Sequence, residues 1–371
     1  MTEVVIAGGG TGGHLFPGLA VAEELRRAGA SVSWLGARRG IEAERVPREG
    51  IPLLALPVTG ASGRRVTDQI GSLLRMPPAI FSAARFLLHR SADAVMAVGG
   101  YAAVPGAMAA SALGVPLVIQ EQNALPGVAN RFLAPWATAI ACGFETAVAA
   151  FPSLPARWTG NPVRASMFTV PPPPADIVSV LVLGGSQGSA FLNRAMPEAF
   201  ARLAAQRPLP RILHQAGARW EAEVRERYAA AHIKADVVGF IEQPDRALAL
   251  SSLVVARAGA LTVCELAAAR RPALLVPFAA AAHGHQLLNA QALAHTGAAW
   301  VIEERQATPA ALAALLAELL AAPGRLAELG EHGAALAKPD AARDIAQLVL
   351  SRAGVPVDEA APHGAAGAGR K

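Results

Sequence analysis

Lysine is nearly missing from this chain, and charged residues of both signs are few. Lysine occurs only at Lys234, Lys338 and Lys371, so almost all of the 33 basic residues are arginine. Charged residues make up 16% of the 371 residues, and the formal net charge of +5 is spread along the chain. A nucleic-acid-binding protein more often carries dense basic runs. The composition therefore predicts no nucleic-acid partner.

Cysteine is equally scarce, and the usual metal-binding patterns are missing. Cys142 and Cys264 stand in unrelated contexts, with no C-x-x-C pair and no Cys/His cluster. A disulfide framework or a zinc site is therefore not expected, and a reducing compartment fits. No D-x-D, H-E-x-x-H or EF-hand pattern occurs either. The sequence thus predicts no metal ligands.

Unbroken apolar segments of membrane-spanning length are also missing. The uncharged stretch at residues 101–120 is interrupted by prolines and glycines, which favours a small-residue helix followed by a strand. The chain starts directly with a strand pattern and lacks the basic and apolar regions of a signal peptide. We therefore expect neither a transmembrane helix nor a signal peptide.

Apolar strand-like runs alternate with segments of helical spacing through most of the chain. The alternation predicts parallel α/β sheets with right-handed helical crossovers. A proline run at residues 170–176, VPPPPAD, interrupts the pattern, which restarts with SVLVLGGSQGS at 179–189. We therefore predict an α/β fold of two Rossmann-like parallel-sheet domains. They would face each other across a cleft at the carboxyl ends of their strands.

The proline run and the composition of the last residues define the predicted domain boundaries. The N-terminal domain is expected over residues 1–161, a linker over 162–177 and the C-terminal domain over 178–339. A helical segment at 340–353 is expected to complete the N-terminal domain. The Gly/Ala-rich tail at 354–371 is predicted to be disordered.

The first glycine turn, VVIAGGGTGGHLFPG at residues 4–18, is open to two interpretations. Gly8, Gly10 and Gly13 match the G-x-G-x-x-G fingerprint of a dinucleotide site. Such a site needs an acidic residue about twenty positions later, where Arg38 and Arg39 stand instead. The arginine pair suits a 2′-phosphate, so an NADP-dependent reductase is one alternative. The other is a cradle for a different phosphate ligand at the helix N-terminus.

His14 closes this turn and is the candidate catalytic residue. A histidine at a helix N-terminus beside an anion site is well placed for proton transfer near neutral pH. A purely structural histidine is the alternative.

Two glycine turns in the second half predict further ligand contacts. GGSQGS at residues 184–189 offers Ser186 and Gln187 as hydrogen-bond donors. RAGALTVCEL at 257–266 is typical of a helix start, and Thr262 with Glu265 matches a capping box. The functional alternative is that Glu265 accepts hydrogen bonds from a ribose diol.

The following loop, PFAAAAHGHQLLNAQAL at residues 277–293, gathers His283, His285, Gln286 and Asn289. Amide side chains suit sugar hydroxyls, and a solvated loop is the alternative.

Residues 63–90 combine arginines with large apolar residues. Basic side chains beside exposed apolar ones bind an anionic membrane surface. The alternative is a pair of ordinary amphipathic helices packed on the sheet.

Six motifs together, in order and spacing, resemble one family. They are GGGTGGHLFPG, VGGYAAVPG, IQEQNALPGVANR, GNPVR, VLGGSQGS and RAGALTVCEL, and the likeness runs from about residue 3 to 350. The chain resembles the MurG family of bacterial N-acetylglucosaminyltransferases in peptidoglycan synthesis. The resemblance implies a GT-B fold, UDP-N-acetylglucosamine (UDP-GlcNAc) as donor and the lipid-linked MurNAc-pentapeptide (lipid I) as acceptor, with inversion at the sugar. It also implies a peripheral location at the cytoplasmic face of the inner membrane, and roles in cell shape and division.

The resemblance also implies a set of donor contacts. The Ile241 backbone would meet the uracil, Glu265 the ribose, and Gln286 the sugar hydroxyls. Arg164 and Ser186 would hold the diphosphate together with the helix start at Ala260–Thr262. The remaining donor residues of the set are Thr11, Gly12, Gly13 and Asn123 from the first domain and Ala260, Leu261, Thr262, Val263 and Cys264 from the second. The first glycine turn would also cradle the diphosphate of the acceptor, with no metal and no cofactor.

Two departures from the family pattern affect this set. The family commonly has serine where Cys264 stands, which a backbone contact would tolerate. The loop at 279–284 lacks the usual polar residues, so sugar contacts from that loop are not assigned. Another UDP-sugar enzyme of the same fold, such as a 2-epimerase, is the nearest alternative function. A non-catalytic sugar-nucleotide sensor is a further one.

Overall fold

The computed structural model describes residues 1–38, 40–58, 76–172, 178–185, 187–279 and 284–356. Its strands form one sheet of seven strands and one of six, and every recorded pairing is parallel. Apolar clusters cover both faces of both sheets. Strands that are buried on both faces consist of short apolar runs. The alternation of strands and helices could therefore be recognised in the sequence. The prediction of two parallel-sheet domains is confirmed.

The first sheet has the spatial order β3-β2-β1-β4-β5-β6-β7. Its strands are β1 (Glu3–Ala7), β2 (Ser31–Ala37), β3 (Leu53–Leu56), β4 (Ala94–Ala97), β5 (Leu117–Glu121), β6 (Ala139–Cys142) and β7 (Ala156–Trp158). Its helices are α1 (Gly12–Arg27), α2 (Glu42–Arg48), α3 (Met76–Arg90), α4 (Ala103–Leu113), α5 (Val128–Leu133) and α6 (Glu145–Val148). The chain order reverses between β1 and β4, and ligands of such sheets bind at the carboxyl ends beside that reversal.

The second sheet repeats this plan with the order β10-β9-β8-β11-β12-β13. Its strands are β8 (Ser179–Leu183), β9 (Arg211–Gln215), β10 (Asp236–Val238), β11 (Leu253–Ala256), β12 (Ala273–Leu275) and β13 (Ala299–Val301). Its helices are α7 (Ala190–Ala204), α8 (Glu221–Ala230), α9 (Pro244–Ala249), α10 (Ala260–Ala268), α11 (His285–Ala294), α12 (Pro309–Leu319) and α13 (Pro323–His332). Here the order reverses between β8 and β11, so the second and third glycine turns lie side by side.

The last described helix, α14 (Ala341–Arg352), returns to the first sheet. It packs against α1, β4, β5 and β6, and Ile345 and Val349 are buried there. The predicted linker contains a short 3-10 helix, Ala165–Thr169. Residues 173–177 of the linker and 357–371 of the predicted disordered tail lie outside the described residues.

No single helix among the described residues is long and apolar enough to cross a membrane. The pair Pro309–Leu319 and Gly324–Arg352 reaches the required length only when its two parts, bent by 98° from each other, are joined.

Candidate functional site

The first glycine turn wraps around a buried carboxylate. Gly8, Gly9 and Gly10 connect β1 to α1 with φ angles of 143°, 145° and 91°. Glu42, fully buried, accepts hydrogen bonds from the backbone N–H of Gly10 at 2.8 Å and of Ala37 at 2.9 Å. A Cβ atom on Gly9 would lie 2.2 Å from Cδ of Glu42, so only glycine fits there. The side chain of Glu42 therefore occupies the inside of the turn.

This contact reduces the number of backbone N–H groups that the first glycine turn can offer to a phosphate. Because Gly10 donates to Glu42, the N–H groups left for a ligand belong to the start of α1. Gly12 is half-buried there, and Thr11 and Gly13 are exposed. Sequence reasoning missed Glu42. The available signal was the sequence GIE at residues 40–42, which follows β2 after Arg38 and Arg39.

His14 stands at the start of α1 against the β4–α4 loop. Its Nδ1 lies 3.0 Å from the Thr11 hydroxyl, and a Cβ atom on Gly99 would lie 3.0 Å from its ring. Burial lowers the pKa of His14 below its usual 6.5, against the opposing charges of Glu121 and Glu42 and a backbone hydrogen bond with Gly9. The imidazole is therefore neutral at pH 7 and able to accept a proton.

Glu121 organises the loop that follows β5. This buried carboxylate accepts hydrogen bonds from the Asn123 and Gly127 backbone N–H groups, at 2.8 and 2.9 Å. The Asn130 amide also donates to it at 2.9 Å. Asn123 was predicted, whereas Glu121 and Asn130 were not singled out. Their signal was the polar run QEQN at residues 120–123, which begins at the carboxyl end of the buried strand β5.

The second glycine turn packs against the end of β9 and is contacted by Arg257. Gly188 has φ +74°, and a Cβ atom on it would lie 1.9 Å from the Ala216 carbonyl oxygen. Ser189 caps α7 by accepting from the Leu192 N–H, and it also accepts from Nε of Arg257 at 2.9 Å. Ser186 of the predicted set lies outside the described residues, and Gln187 is exposed.

The capping-box interpretation of Thr262 and Glu265 is wrong. The residue that caps α10 is Gly259, and Thr262 is the third residue of the helix. Glu265 is thereby released from a capping role. The side chains of Val263 and Cys264 are buried, and Cys264 Sγ accepts from the Asn161 amide at 3.3 Å.

Glu265 and Ile241 line the same small pocket. The pocket is lined by Leu181, Leu183, Ile241, Pro244, Ala247, Leu248, Thr262, Glu265 and Leu266. Burial raises the pKa of Glu265 to about 7, against the opposing charge of Arg164. Arg164 is exposed, and its guanidinium lies 5.8 Å from the centroid of the Phe16 ring on α1. It thus lies between the first domain and the pocket.

Residues of α11 connect the two domains. Asn289 is fully buried, accepts from the Ala124 N–H at 2.8 Å and donates to the Asn123 side chain at 3.2 Å. His285 Nδ1 lies 2.7 Å from the Leu125 carbonyl oxygen. The solvated-loop alternative is therefore wrong for Asn289. The predicted His283 lies outside the described residues.

The Gln286 side chain is half-buried and partly engaged with the backbone. Its carboxamide oxygen accepts from the N–H groups of Phe278, at 2.9 Å, and Ala258, at 3.3 Å. A ligand would therefore meet its amide nitrogen. Within the described ranges, no group of three or more His, Cys, Asp or Glu is placed to hold a metal ion. The predicted absence of metal and cofactor stays a prediction.

Because the pKa of Glu265 is raised, we expect this residue to lower the free energy of unfolding by an amount that grows with pH. The folded protein binds a proton between pH 4.5 and about 7 that the unfolded chain releases, so the contribution of Glu265 to stability is lost as the pH rises through 7. We expect Glu265→Gln to raise the free energy of unfolding at pH 8 by about 1–3 kcal/mol, with a much smaller gain at pH 5. Urea unfolding at the two pH values measures this.

The exposed neighbour Glu242 provides the control. Glu242→Gln should change stability by less than about 0.5 kcal/mol at both pH values. A loss of stability in the Glu265→Gln variant at pH 8 would contradict the raised pKa of Glu265.

Two parallel-sheet domains, each with a glycine turn at the carboxyl ends of its strands, form the architecture of the GT-B fold. The glycosyltransferase family 28 N-terminal domain matches residues 4–142, and the family 28 C-terminal domain matches residues 179–345. The chain belongs to this family and, within it, to the UDP-N-acetylglucosamine–N-acetylmuramyl-(pentapeptide) pyrophosphoryl-undecaprenol N-acetylglucosamine transferases, the MurG family. It is therefore an N-acetylglucosaminyltransferase, which decides against the NADP-dependent reductase.

Three similar proteins illustrate this membership. Transferases of that name from Stutzerimonas stutzeri and Pseudomonas paraeruginosa are each 42% identical, over 94% of this chain and 98% of theirs. The crystal structure of Acinetobacter baumannii MurG is 31% identical with a TM-score of 0.79, over 95% of this chain and all of that one. A UDP-GlcNAc 2-epimerase from Neisseria meningitidis, 12% identical with a TM-score of 0.67 over 95% of this chain and 100% of that one, shares the fold.

Proposed function

We propose that this chain transfers GlcNAc from UDP-GlcNAc to the 4-hydroxyl of the MurNAc residue in undecaprenyl-diphosphate-linked MurNAc-pentapeptide, with inversion. The product would be the lipid-linked disaccharide, lipid II, of peptidoglycan synthesis. The observation that carries the proposal is the 42% identity, over 94% of the chain, to transferases that bear this name.

The pocket around Glu265 and Ile241 is the proposed uridine site. A carboxylate at its rim is chemically suited to accept hydrogen bonds from both ribose hydroxyls. The diphosphate would lie against Ser186, Arg164 and the N-terminal N–H groups of α10 at Ala260, Leu261 and Thr262. Because the side chains of Val263 and Cys264 are buried, contacts from these two residues would be made by their backbone.

The sugar would lie between the domains. Gln286 would donate its amide N–H to a sugar hydroxyl from one side. Thr11, Gly12, Gly13 and Asn123 would complete the donor site from the other. Asn289 supports this arrangement, since it holds Asn123 at the domain boundary.

The chemical step requires a base and a stabilised leaving group. Neutral His14 would accept the proton of the acceptor 4-hydroxyl as its oxygen bonds to the anomeric carbon. The bond from that carbon to UDP breaks, and the charge left on the diphosphate would be stabilised by Arg164 and the α10 N-terminus. We propose that no cofactor takes part.

Binding distinguishes this proposal from its alternatives. A ligand that binds only the folded state raises the melting temperature. UDP at about 100 times its Kd should add about 2.7 kcal/mol of stability, and NADPH at the same concentration should add none. Stabilisation by NADPH but not by UDP would contradict the proposal. Release of a 2-epimer from UDP-GlcNAc would favour the epimerase alternative.

We further propose that α3 binds an anionic membrane surface, which would place the enzyme peripherally at the cytoplasmic face of the inner membrane. Ala79, Ala83 and Leu87 are buried, so one face of α3 packs on the domain. On the opposite side Phe81 and Leu88 are 65% and 64% exposed. Within the predicted 63–90 stretch, residues 63–75 lie outside the described residues.

Vesicle sedimentation tests this surface. The double variant Phe81→Ser/Leu88→Ser should bind vesicles with anionic lipid about tenfold more weakly than the wild type, because two exposed apolar side chains are lost. Leu250→Ser, which changes a side chain 65% exposed on the second domain, is the matched control and should bind normally. Equal binding by the double variant would rule out α3 as the contact.

A further inference from the structure

A chain of buried polar side chains runs beneath the second glycine turn. His214 on β9 is fully buried, with its Nδ1 3.0 Å from the Tyr228 hydroxyl on α8 and its Nε2 3.1 Å from Oδ1 of Asn193 on α7. The Asn193 amide donates to the Ala216 carbonyl oxygen at 2.9 Å. Nothing in the proposed reaction uses this histidine.

The partners determine where the proton of the imidazole lies. Asn193 Nδ2 donates a hydrogen bond to Ala216, so its Oδ1 is the acceptor atom. It must therefore accept a hydrogen bond from the N–H at His214 Nε2. His214 Nδ1 is then the acceptor of the Tyr228 hydroxyl proton. Each hydrogen bond of the chain is thus donated in the same order, by Tyr228 to His214, by His214 to Asn193 and by Asn193 to Ala216. Burial lowers the pKa of His214 to about 3, so the ring stays neutral in this tautomer at physiological pH.

The end of this chain touches the turn itself. The Ala216 carbonyl oxygen is the atom that leaves no room for a side chain on Gly188. The neighbouring Gln215 donates from its side chain to the Gly185 carbonyl oxygen at 3.0 Å and accepts from the Gly184 N–H at 3.1 Å through its backbone. The carboxyl end of β9 therefore packs against Gly184, Gly185 and Gly188 of the turn.

We propose that His214 is a positioning residue for the donor diphosphate. Its Nε2–H tautomer holds Asn193 in the orientation that places Ala216 against Gly188, and the turn held in this shape would meet the diphosphate of the nucleotide. The inference rests on the proposed function, because it assumes that the turn at 184–189 receives the diphosphate of UDP-GlcNAc.

The tautomer is directly observable without any assay of activity. In protein labelled with 15N-histidine, the His214 signals, assigned through their loss in His214→Gln, should show a protonated Nε2 and an unprotonated, hydrogen-bonded Nδ1. They should not titrate between pH 5 and 8. A protonated Nδ1, or titration in that range, would overturn the proposal.

Two variants separate positioning from stability. His214→Leu removes both hydrogen bonds and should raise the KM for UDP-GlcNAc about tenfold, with a smaller change in kcat. His214→Gln keeps a donor close to the Nε2 position and should restore the KM to within about threefold. A KM in His214→Leu equal to that of the wild type would overturn the proposal.

Val224→Ala is the matched control, because Val224 is a fully buried residue of the same core without a place in the hydrogen-bonded chain. It should lower the melting temperature and leave the Kd for UDP unchanged. If His214→Leu also loses stability but binds UDP like Val224→Ala, His214 is only structural and the proposal is wrong. Wild-type protein that binds no UDP at all would instead contradict the proposed function.

Discussion

Replacing His14 by alanine should lower kcat by about 10²–10⁴-fold while the Kd for UDP changes less than about twofold. The loss follows because, in the proposed mechanism, the neutral imidazole of His14 takes the acceptor proton. The small effect on UDP follows because the proposed uridine pocket belongs to the second domain. Steady-state kinetics and UDP titration measure the two quantities separately.

The pH dependence of kcat gives a second readout of His14. Because burial lowers its pKa below 6.5, the acidic limb of the kcat profile should lie below pH 6.5, where protonation removes the base. The exposed His332 serves as the control, and His332→Ala should keep both kcat and the profile. Near-normal turnover in His14→Ala would show that another group accepts the proton.

Replacing Glu42 by alanine should lower the free energy of unfolding by about 3–5 kcal/mol and abolish most activity. The half-buried Gly10 N–H and the buried Ala37 N–H lose their acceptor, and a cavity opens beneath the turn. The activity falls because the turn that positions Thr11 and His14 loses its support. Urea unfolding and turnover, measured on the same preparation, test both parts.

The control for Glu42 lies on the same helix. Glu44 is exposed and pairs with the exposed Arg48 at 2.6 Å, so Glu44→Ala should cost less than about 1 kcal/mol. If Glu42→Ala retained wild-type stability, the carboxylate would not be the support of the turn.

Local patterns explain why the fold could be predicted from the sequence. Each strand is a short apolar run followed by a turn and a helix, and this repeats in both halves. Residues beside a glycine turn, such as His14, share its segment and could therefore be singled out as candidates from the sequence. The family resemblance supplied Arg164 and Ile241, which no local pattern marks.

Contacts distant in sequence explain what could not be predicted. Glu42 reaches Gly10 across 32 residues, and Asn289 reaches Ala124 across 165. Such pairs depend on how strands and domains assemble, which a single sequence does not display. The error at Thr262 was local, because the capping-box spacing occurs by chance inside α10, whose cap is Gly259.

We propose that the chain joins GlcNAc to the lipid-linked acceptor in the cleft between its two domains. The most direct measurement incubates the full chain with UDP-GlcNAc labelled in the sugar and a lipid I analogue, and follows label and UDP together. The account predicts one lipid-linked disaccharide, with a β-linkage to the 4-hydroxyl, for each UDP released. Label that stays on the nucleotide or appears as free sugar, in a protein that binds UDP, would contradict it.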